Sequence, residues 1–452
     1  MRTSLPLLAL AASLIAPAGA TAQALRLGDA LDRADQHAYG NRAQRAMADA
    51  STATARLPLR GILPSVRVDA GLIHTTDPIG AFGTTLRQRA ITQQDFGPAR
   101  LNFPDAARNV TGALVVEQPL FNGDAWAGRR AAMRAADAAS ATSEWTRLST
   151  RTNVVRAYFG TILTAEQVTT YEVAVRAGQA HVRQAQSMVT NGMVTASDAL
   201  LASVKSGEIE TGLLRAKGDA TNAVRGLHTL LGGATSAEIV LPTQLPSADA
   251  VRALAATLTA DAVNTTRADV TAATATAAAA DADVLRAKSG FVPRVNSFAR
   301  YDWNDPRAAF AGEKNWTVGV MASWSLFGGA SELSETQAAT SRARAAMAMQ
   351  QGTSAQAALD VAQSTVLLET ALARLAIAER SVAQATDAHR IVGRRYAGGL
   401  ATIVELFDAT AMETQSKLAA TAARYDVIVA LATQLQATGR DPGALRLLDA
   451  DR

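Results

Sequence analysis

Apolar and polar positions along this chain follow two periods, and the two occur in separate blocks. The short blocks have period two. Between residues 65 and 74, Val66, Val68, Ala70 and Leu72 point one way while Arg67, Asp69 and Gly71 point the other. That spacing predicts a β-strand, and similar reading gives strands at about 109–121, 294–303 and 315–327. The last is the cleanest: Trp316, Val318, Val320, Ala322, Trp324 and Leu326 alternate with Thr317, Gly319, Met321, Ser323 and Ser325. In 294–303, Phe298 breaks the polar side.

The long blocks have the helical period. Residues 124 to about 190 contain no proline, and Val154, Tyr158, Ile162, Ala165 and Val168 form one stripe. At ~1.5 Å per residue such a helix would run about 100 Å, which few globular domains hold. A second block covers 330–396, where Val361, Leu368, Leu375 and Val382 recur every seven residues beside Leu372. Each long block stops at a glycine, Gly192 or Gly399, the residue favoured just past a helix end. Another helical block follows each, so helical hairpins are expected at about 124–231 and 330–437, with tip turns at Gly192 and Gly399. Residues 27–57 read as one helix, with Leu27, Ala30, Leu31, Ala34 and Ala38 on one face and Pro58 and Pro64 ending it. Residues 75–108 are rich in Gly, Pro, Asp and Thr without a sustained period and read as a long loop. A connector with Pro242 and Pro246 follows the first hairpin, and an Ala/Thr-rich stretch over 248–288 opens the second half.

These blocks repeat. Leu120-Phe121-Asn122-Gly123 reappears as Leu326-Phe327-Gly328-Gly329, and Leu63-Pro64-Ser65-Val66 as Val292-Pro293-Arg294-Val295. Downstream, Gly192 falls on Gly399, Asp198 on Glu405 and Gly232 on Gly439. Landmarks in this order mark an internal duplication, 25–245 followed by 246–452. The one large length difference lies between paired strands, 75–108 against 304–314.

Residues 1–24 combine Arg2, an apolar run from Leu5 to Ala16, and small residues at Ala22 and Ala24. A secretory signal peptide cleaved after Ala24 is expected. No later stretch approaches the ~20 continuous apolar residues of a spanning helix. A membrane form would therefore be a barrel, because only helices and closed barrels satisfy the backbone in lipid. The chain has no cysteine, which excludes disulfides, thiolate metal sites and an acylated N-terminal cysteine. A formal charge of +4 on 452 residues, with no dense basic tract, argues against a nucleic-acid partner.

Trp316 and Trp324 share one face of the last strand. At ~3.4 Å per residue they stand about 27 Å apart, or about 20 Å in height at a barrel tilt near 40°. That fits the two interfacial aromatic belts of an outer-membrane barrel facing lipid. Four strands per chain cannot close a barrel, since the smallest have about eight. Several chains must share one, and three would supply twelve strands. The fold class expected is an α+β membrane protein: a trimeric twelve-stranded β-barrel continued by a long α-helical coiled-coil tube.

The chain resembles the TolC-type outer-membrane efflux proteins over nearly its whole mature length. The similarity rests on the duplicated strand–strand–hairpin unit and its Pro and Leu-Phe-x-Gly landmarks. The most specific piece is Tyr396-Ala397-Gly398-Gly399-Leu400-Ala401-Thr402-Ile403-Val404-Glu405-Leu406-Phe407-Asp408-Ala409. It is similar to the family pattern Tyr-x-x-Gly-x-x-Thr-Ile-x-Asp-x-x-Asp-Ala. The resemblance implies a homotrimer in a Gram-negative outer membrane with a periplasmic helical tube. It implies docking to a periplasmic adaptor and an inner-membrane transporter, and passive outward passage of drugs, metals or proteins. It places Glu405 and Asp408 in acidic rings at the periplasmic entrance, and Asp198 and Tyr396 in a hydrogen-bonded pair that holds the entrance shut. Ala401 stands where the best-known members carry an arginine of that lock, with Arg394 and Arg395 nearby. The family's early Asn-Pro landmark is here Asn41-Arg42.

Glu405 and Asp408 lie one turn apart, and acids near a helix N-terminus are favoured without any gate role. His37, His74, His181, His228 and His389 show no ligand spacing and read as surface or seam residues rather than metal ligands, so neither metal nor cofactor is expected. No phosphate loop or catalytic motif is present, and no enzyme activity is expected. Two other readings remain open at this stage: a trimeric outer-membrane adhesin, and a soluble periplasmic coiled-coil scaffold with a small sheet.

Overall fold

The structure, a computed structural model, describes residues 24–233, 240–260 and 266–449. All but the last residue of the expected signal peptide, and residues 234–239 of the connector, lie outside the described residues. The described chain forms two compact units, each drawing on both halves of the sequence.

One unit comprises residues 43–146 and 266–359 and contains the sheet. Its strands are β1 (Ser65–Thr75), β2 (Ala107–Phe121), β3 (Arg294–Asp305) and β4 (Glu313–Ser323), all antiparallel in the order β1-β2-β3-β4. The pairing of β2 with β3 joins the two halves. β1 and β4 are margins, each with one neighbour among the described strands. β4 ends at Ser323, so Trp324 follows the strand rather than lying in it.

The expected loop between β1 and β2 contains two short helices, α3 (Pro78–Arg87) and α4 (Pro98–Asn102), and a 3-10 turn between them. Local chemistry makes them. The Asp77 side chain accepts from Gly80 N at 2.6 Å with Pro78 at the first helical position, and Thr92 and Asp95 form a capping box. Such short elements leave no sustained period to read.

The sheet unit also holds the upstream ends of two long helices and α8 (Ala268–Lys288). The long helices are α5 (Gly123–Thr190) and α9 (Ser331–Ala397), and both continue into the other unit. Most of the buried helical residues here are alanines: Ala136 and Ala138 of α5, Ala272, Ala282 and Ala287 of α8, and Ala339, Ala343 and Ala357 of α9. Small side chains let helix backbones approach closely, which explains the Ala-rich composition.

The second unit comprises residues 24–42, 147–233, 240–260 and 360–449 among those described. It includes α1 (Leu27–His37), the return helices α6 (Ala196–Leu230) and α10 (Ile403–Ala437), and α7 (Ala248–Ala260). Its core gathers the expected stripes. Leu27, Ala30, Leu31 and Ala34 of α1 meet Val154, Tyr158 and Ile162 of α5, Leu368 and Leu375 of α9, and Val427, Ile428 and Leu431 of α10. Full burial of such apolar side chains is worth ~1.5–3 kcal/mol each. Tyr158 is wholly buried and donates its hydroxyl to the Leu25 carbonyl at 2.9 Å. Part of α9 is apolar enough by length and composition to cross a membrane, and 22% of that stretch is buried.

The expected single helix over 27–57 is two. α1 ends at His37, and α2 (Tyr39–Thr54) starts after Ala38, whose φ of −57° and ψ of 129° leave the helical region. Buried Asn41 marks the break, donating to the Ala34 carbonyl at 3.3 Å and accepting from the Thr150 hydroxyl at 2.9 Å. The C-terminal residues 442–449 form a 3-10 helix. It buries Leu445 and Leu448 in the same core, and the Asp449 carboxylate accepts from Leu27 N at 2.6 Å. Nothing periodic in so short a segment announces it.

Candidate functional site

The tips of the two hairpins are built alike. At the first, Met193 N donates to the Met188 carbonyl and Gly192 N to the Val189 carbonyl; at the second, Leu400 N donates to Arg395 and Gly399 N to Tyr396. Each is a Schellman motif that satisfies the last carbonyls of a long helix. It requires a left-handed residue, and Gly192 (φ 68°) and Gly399 (φ 72°) supply it. The return helix then starts on a capping box. Thr195 N donates to Asp198 Oδ2 at 3.0 Å, and Thr402 N to Glu405 Oε2 at 3.2 Å. The duplication is thus readable in individual hydrogen bonds. The pattern Thr-x-x-Asp/Glu carries this signal in the sequence, where the acid alone does not.

Capping decides what the acidic side chains do here. Asp198 Oδ2 also accepts from the Thr195 hydroxyl at 2.8 Å, so its carboxylate is engaged within its own turn. Tyr396 is 1% exposed, and its hydroxyl has no hydrogen-bond partner. The Asp198–Tyr396 hydrogen bond that the resemblance implied is therefore not formed. The two groups still sense each other: burial, and then the Asp198 charge, push the Tyr396 phenol above its ordinary range. What joins the hairpins at the tip is apolar. Ala185, Met188 and Ala202 of the first pack with Tyr396, Ile403, Leu406 and Phe407 of the second.

Glu405 and Asp408 are exposed on the first turns of α10. Glu405 is partly held by its capping box, since its N–H also donates to Thr402 Oγ1 at 3.2 Å. Ala401 packs against the apolar cluster. Arg395 crosses the tip turn and donates to the Leu400 carbonyl at 3.0 Å, adjoining the position of the missing family arginine.

In the sheet unit, strand register sorts the faces. Val68, Leu114, Tyr301 and Trp316 align across all four strands, as do Val66, Val116, Ala299 and Val318. The opposite face carries Arg67, Val115, Arg300 and Thr317 in one row, and Asp69, Ala113, Asp302 and Asn315 in the next. One face is thus apolar and open: Val66, Val68, Trp316 and Val318 are each more than 60% exposed. The other holds Arg67–Asp69 and Arg300–Asp302 pairs at 3.0 and 2.7 Å. Phe298 fits the polar face because its partner is Gly319, where a Cβ would stand 2.8 Å from the ring. Trp324 is exposed, with its indole N–H donating to the Phe291 carbonyl at 3.2 Å.

A sequence profile described as outer membrane efflux protein matches residues 42–233 and 260–440, most of the chain. The chain belongs to the outer membrane efflux protein family. This efflux protein is similar in structure to the outer membrane channel CmeC of Campylobacter jejuni, at 15% identity and a TM-score of 0.75, covering 91% of this chain and 85% of that one. It is similar to VceC of Vibrio cholerae at 21% identity and 0.74, covering 92% and 96%. It also resembles the open state of the MtrE channel of Neisseria gonorrhoeae at 17% identity and 0.73, covering 92% and 89%. At such identities the likeness establishes the fold. No curated protein matches the sequence of this efflux protein. Its family is one of outer-membrane transport proteins rather than enzymes.

Two of the histidines lie in a seam between helices, one of the two placements the sequence reading gave them. His181 and His389 are scattered in sequence, yet their rings meet at 5.8 Å between centroids, beside Thr410. Thr410 and His181 are 229 residues apart in sequence, beyond any local motif.

Proposed function

We propose that this efflux protein is the outer-membrane exit duct of a tripartite export system. Three copies close a twelve-stranded barrel, and their hairpins continue it as a periplasmic tube that narrows to a gate at the tips. A periplasmic adaptor and an inner-membrane transporter deliver the cargo, and the duct itself consumes no energy. The observation that carries this reading is the sheet: an apolar outer face ending in two unpaired margins, β1 and β4. Lipid leaves such margins no partner except another chain. Cyclic repetition pairs each β4 with the next β1, and three copies reach twelve strands. Trp316 and Trp324 then stand at the two lipid interfaces, and the Arg67 and Asp69 rows face the lumen. An adhesin is disfavoured because its strands would come from one terminus, whereas these come from both halves of a duplication.

At the gate, Glu405 and Asp408 from three chains bring six carboxylates around the mouth, attracting cations and repelling anions. In planar bilayers the double variant Glu405→Ala/Asp408→Ala is expected to lose cation preference and sensitivity to multivalent-cation block. Unchanged selectivity and block would remove the acidic ring from the account. The latch that holds the hairpins together is the buried Tyr396 ring, with Asp198 fixing the opposing turn through Thr195. Because the Tyr396 hydroxyl bonds to nothing, Tyr396→Phe is expected to leave closure and thermal stability intact. Tyr396→Ala empties the cluster and is expected to raise basal conductance and antibiotic leakage. A leaky Tyr396→Phe would instead show that the hydroxyl is the latch.

A further inference from the structure

Two to three turns above the tip, the hairpins meet through a second, polar contact. His181 of α5 and His389 of α9 both bring Nε2 to the hydroxyl of buried Thr410 on α10, at 3.4 and 3.1 Å. The His389 Nδ1 lies in close contact with the Glu413 carboxylate. Glu413 also accepts from the Thr386 hydroxyl at 3.2 Å and pairs with Lys417 at 2.7 Å.

Counting protons gives this contact two states. A carboxylate only accepts, so His389 Nδ1 carries a proton. With His181 protonated on Nε2, the Thr410 hydroxyl has one proton and two acceptors within reach, the Leu406 carbonyl at 2.8 Å and, when His389 is neutral, His389 Nε2. When the hydroxyl donates to Leu406, His389 Nε2 must be the donor, and the ring is an imidazolium beside Glu413. One proton on His389 therefore turns the Thr410 hydroxyl from one acceptor to the other. In the tautomer that carries its proton on Nε2, His181 donates to the Thr410 oxygen in both states, and its own protonation is a separate event.

That event is unfavourable in the packed seam. His181 faces His389 on one side and the Phe407 ring, 5.7 Å away, on another. Along the neighbouring helices, Glu413 pairs with Lys417 on α10, Asp387 with Arg390 at 3.2 Å on α9, and Lys205 with Glu208 at 2.9 Å on α6, while Arg183 follows His181 on α5. Glu210 of α6 accepts from Gln179 at 3.2 Å. Burial, and then the neighbouring His389, hold His181 below the ordinary histidine range.

We propose that His181 and His389 form an acid-sensitive seam between the two hairpins. Protonation of both sets like charges side by side and loosens the packing just above the tip. A histidine that prefers to be neutral in the closed seam favours closure above about pH 6.5, and that preference is lost as the pH falls from there. Burial raises the Glu413 pKa, but bonds from Lys417 and His389 outweigh it and hold the carboxyl below its usual range, so Glu413 stays ionised throughout this window. The loosening is a property of the seam itself; that it widens an entrance rests on the duct reading above.

The test is hydrogen–deuterium exchange of the full chain in mild detergent at pH 7.5 and 5.5, corrected for intrinsic exchange, with conductance read on the same samples. Segments 178–190 and 403–413 are expected to exchange severalfold faster at pH 5.5. His181→Gln is expected to keep the protection at pH 7.5 and lose the acid response. Equal protection of the native sequence at both pH values would overturn the proposal, as would an undiminished acid response in His181→Gln. Should that variant fail to assemble, the native pair of measurements decides. Conductance absent at both pH values would sink the duct reading, and the exchange result would still decide for or against the seam.

Discussion

Val320→Arg is expected to abolish most outer-membrane assembly, whereas Thr317→Glu, on the opposite face of the same strand, is tolerated. The contrast follows from strand register. Val320 stands midway between Trp316 and Trp324, on the same apolar face as the row of Val66, Val116, Ala299 and Val318. Arginine at mid-bilayer on a lipid-facing position costs ~2–4 kcal/mol, and a trimer would bear that cost in each chain. Thr317 lies on the other face opposite Arg300, where a carboxylate gains a cross-strand partner. Heat-resistant trimer in outer-membrane fractions reads both outcomes. Equal tolerance of the two substitutions would mean that the exposed apolar face does not meet lipid.

The second large effect is expected in the helical unit. Arg151 of α5 is only 14% exposed and binds Asp35 of α1 through Nη2 at 2.6 Å and Nε at 3.0 Å. It also contacts Asp441, beside the C-terminal 3-10 helix. One guanidinium thus ties both ends of the described chain to the first hairpin. Burial raises the Asp441 pKa, but bonds from Arg151 and from Gly443 N–H outweigh it and leave the carboxyl below its usual range. The tie is therefore present above the ordinary carboxylate pKa and fades as the pH falls below it. Arg151→Met keeps the packing stem and removes the closer of the two arginines on Asp35, leaving Arg147 at 3.5 Å. Removing one partner of a buried pair costs about 3–5 kcal/mol when the other charge is left uncompensated, and about 2 kcal/mol is expected here because Arg147 remains. Urea unfolding monitored in the helical unit should show a loss of that size, and a loss below about 1 kcal/mol would place the weight of the contact elsewhere.

Long, repeated elements are legible in the sequence and short, singular ones are not. The four strands and the long helices announce themselves because each period recurs many times, and the duplication reads each landmark twice. The break at Ala38 is hidden because the apolar stripe from Leu27 to Ala38 runs through it, and the cause is a single buried side chain, Asn41. The helices between β1 and β2 are hidden because each rests on one cap rather than on a stripe.

At the tip, residue type locates the acids and the glycines but not their bonds. Glu405 and Asp198 look equally available in sequence, yet the threonine three residues before each claims part of the carboxylate. Which histidines meet in a seam is hidden for a different reason. The seam is assembled from α5, α9 and α10, and only tertiary packing brings those positions together.

The mass of the processed chain in mild detergent, by native mass spectrometry or light scattering, most directly tests whether sister subunits complete the sheet. A trimer that enters membranes and resists carbonate extraction is the expected result. A monodisperse monomer, or a chain that stays soluble with no detergent at all, would contradict it.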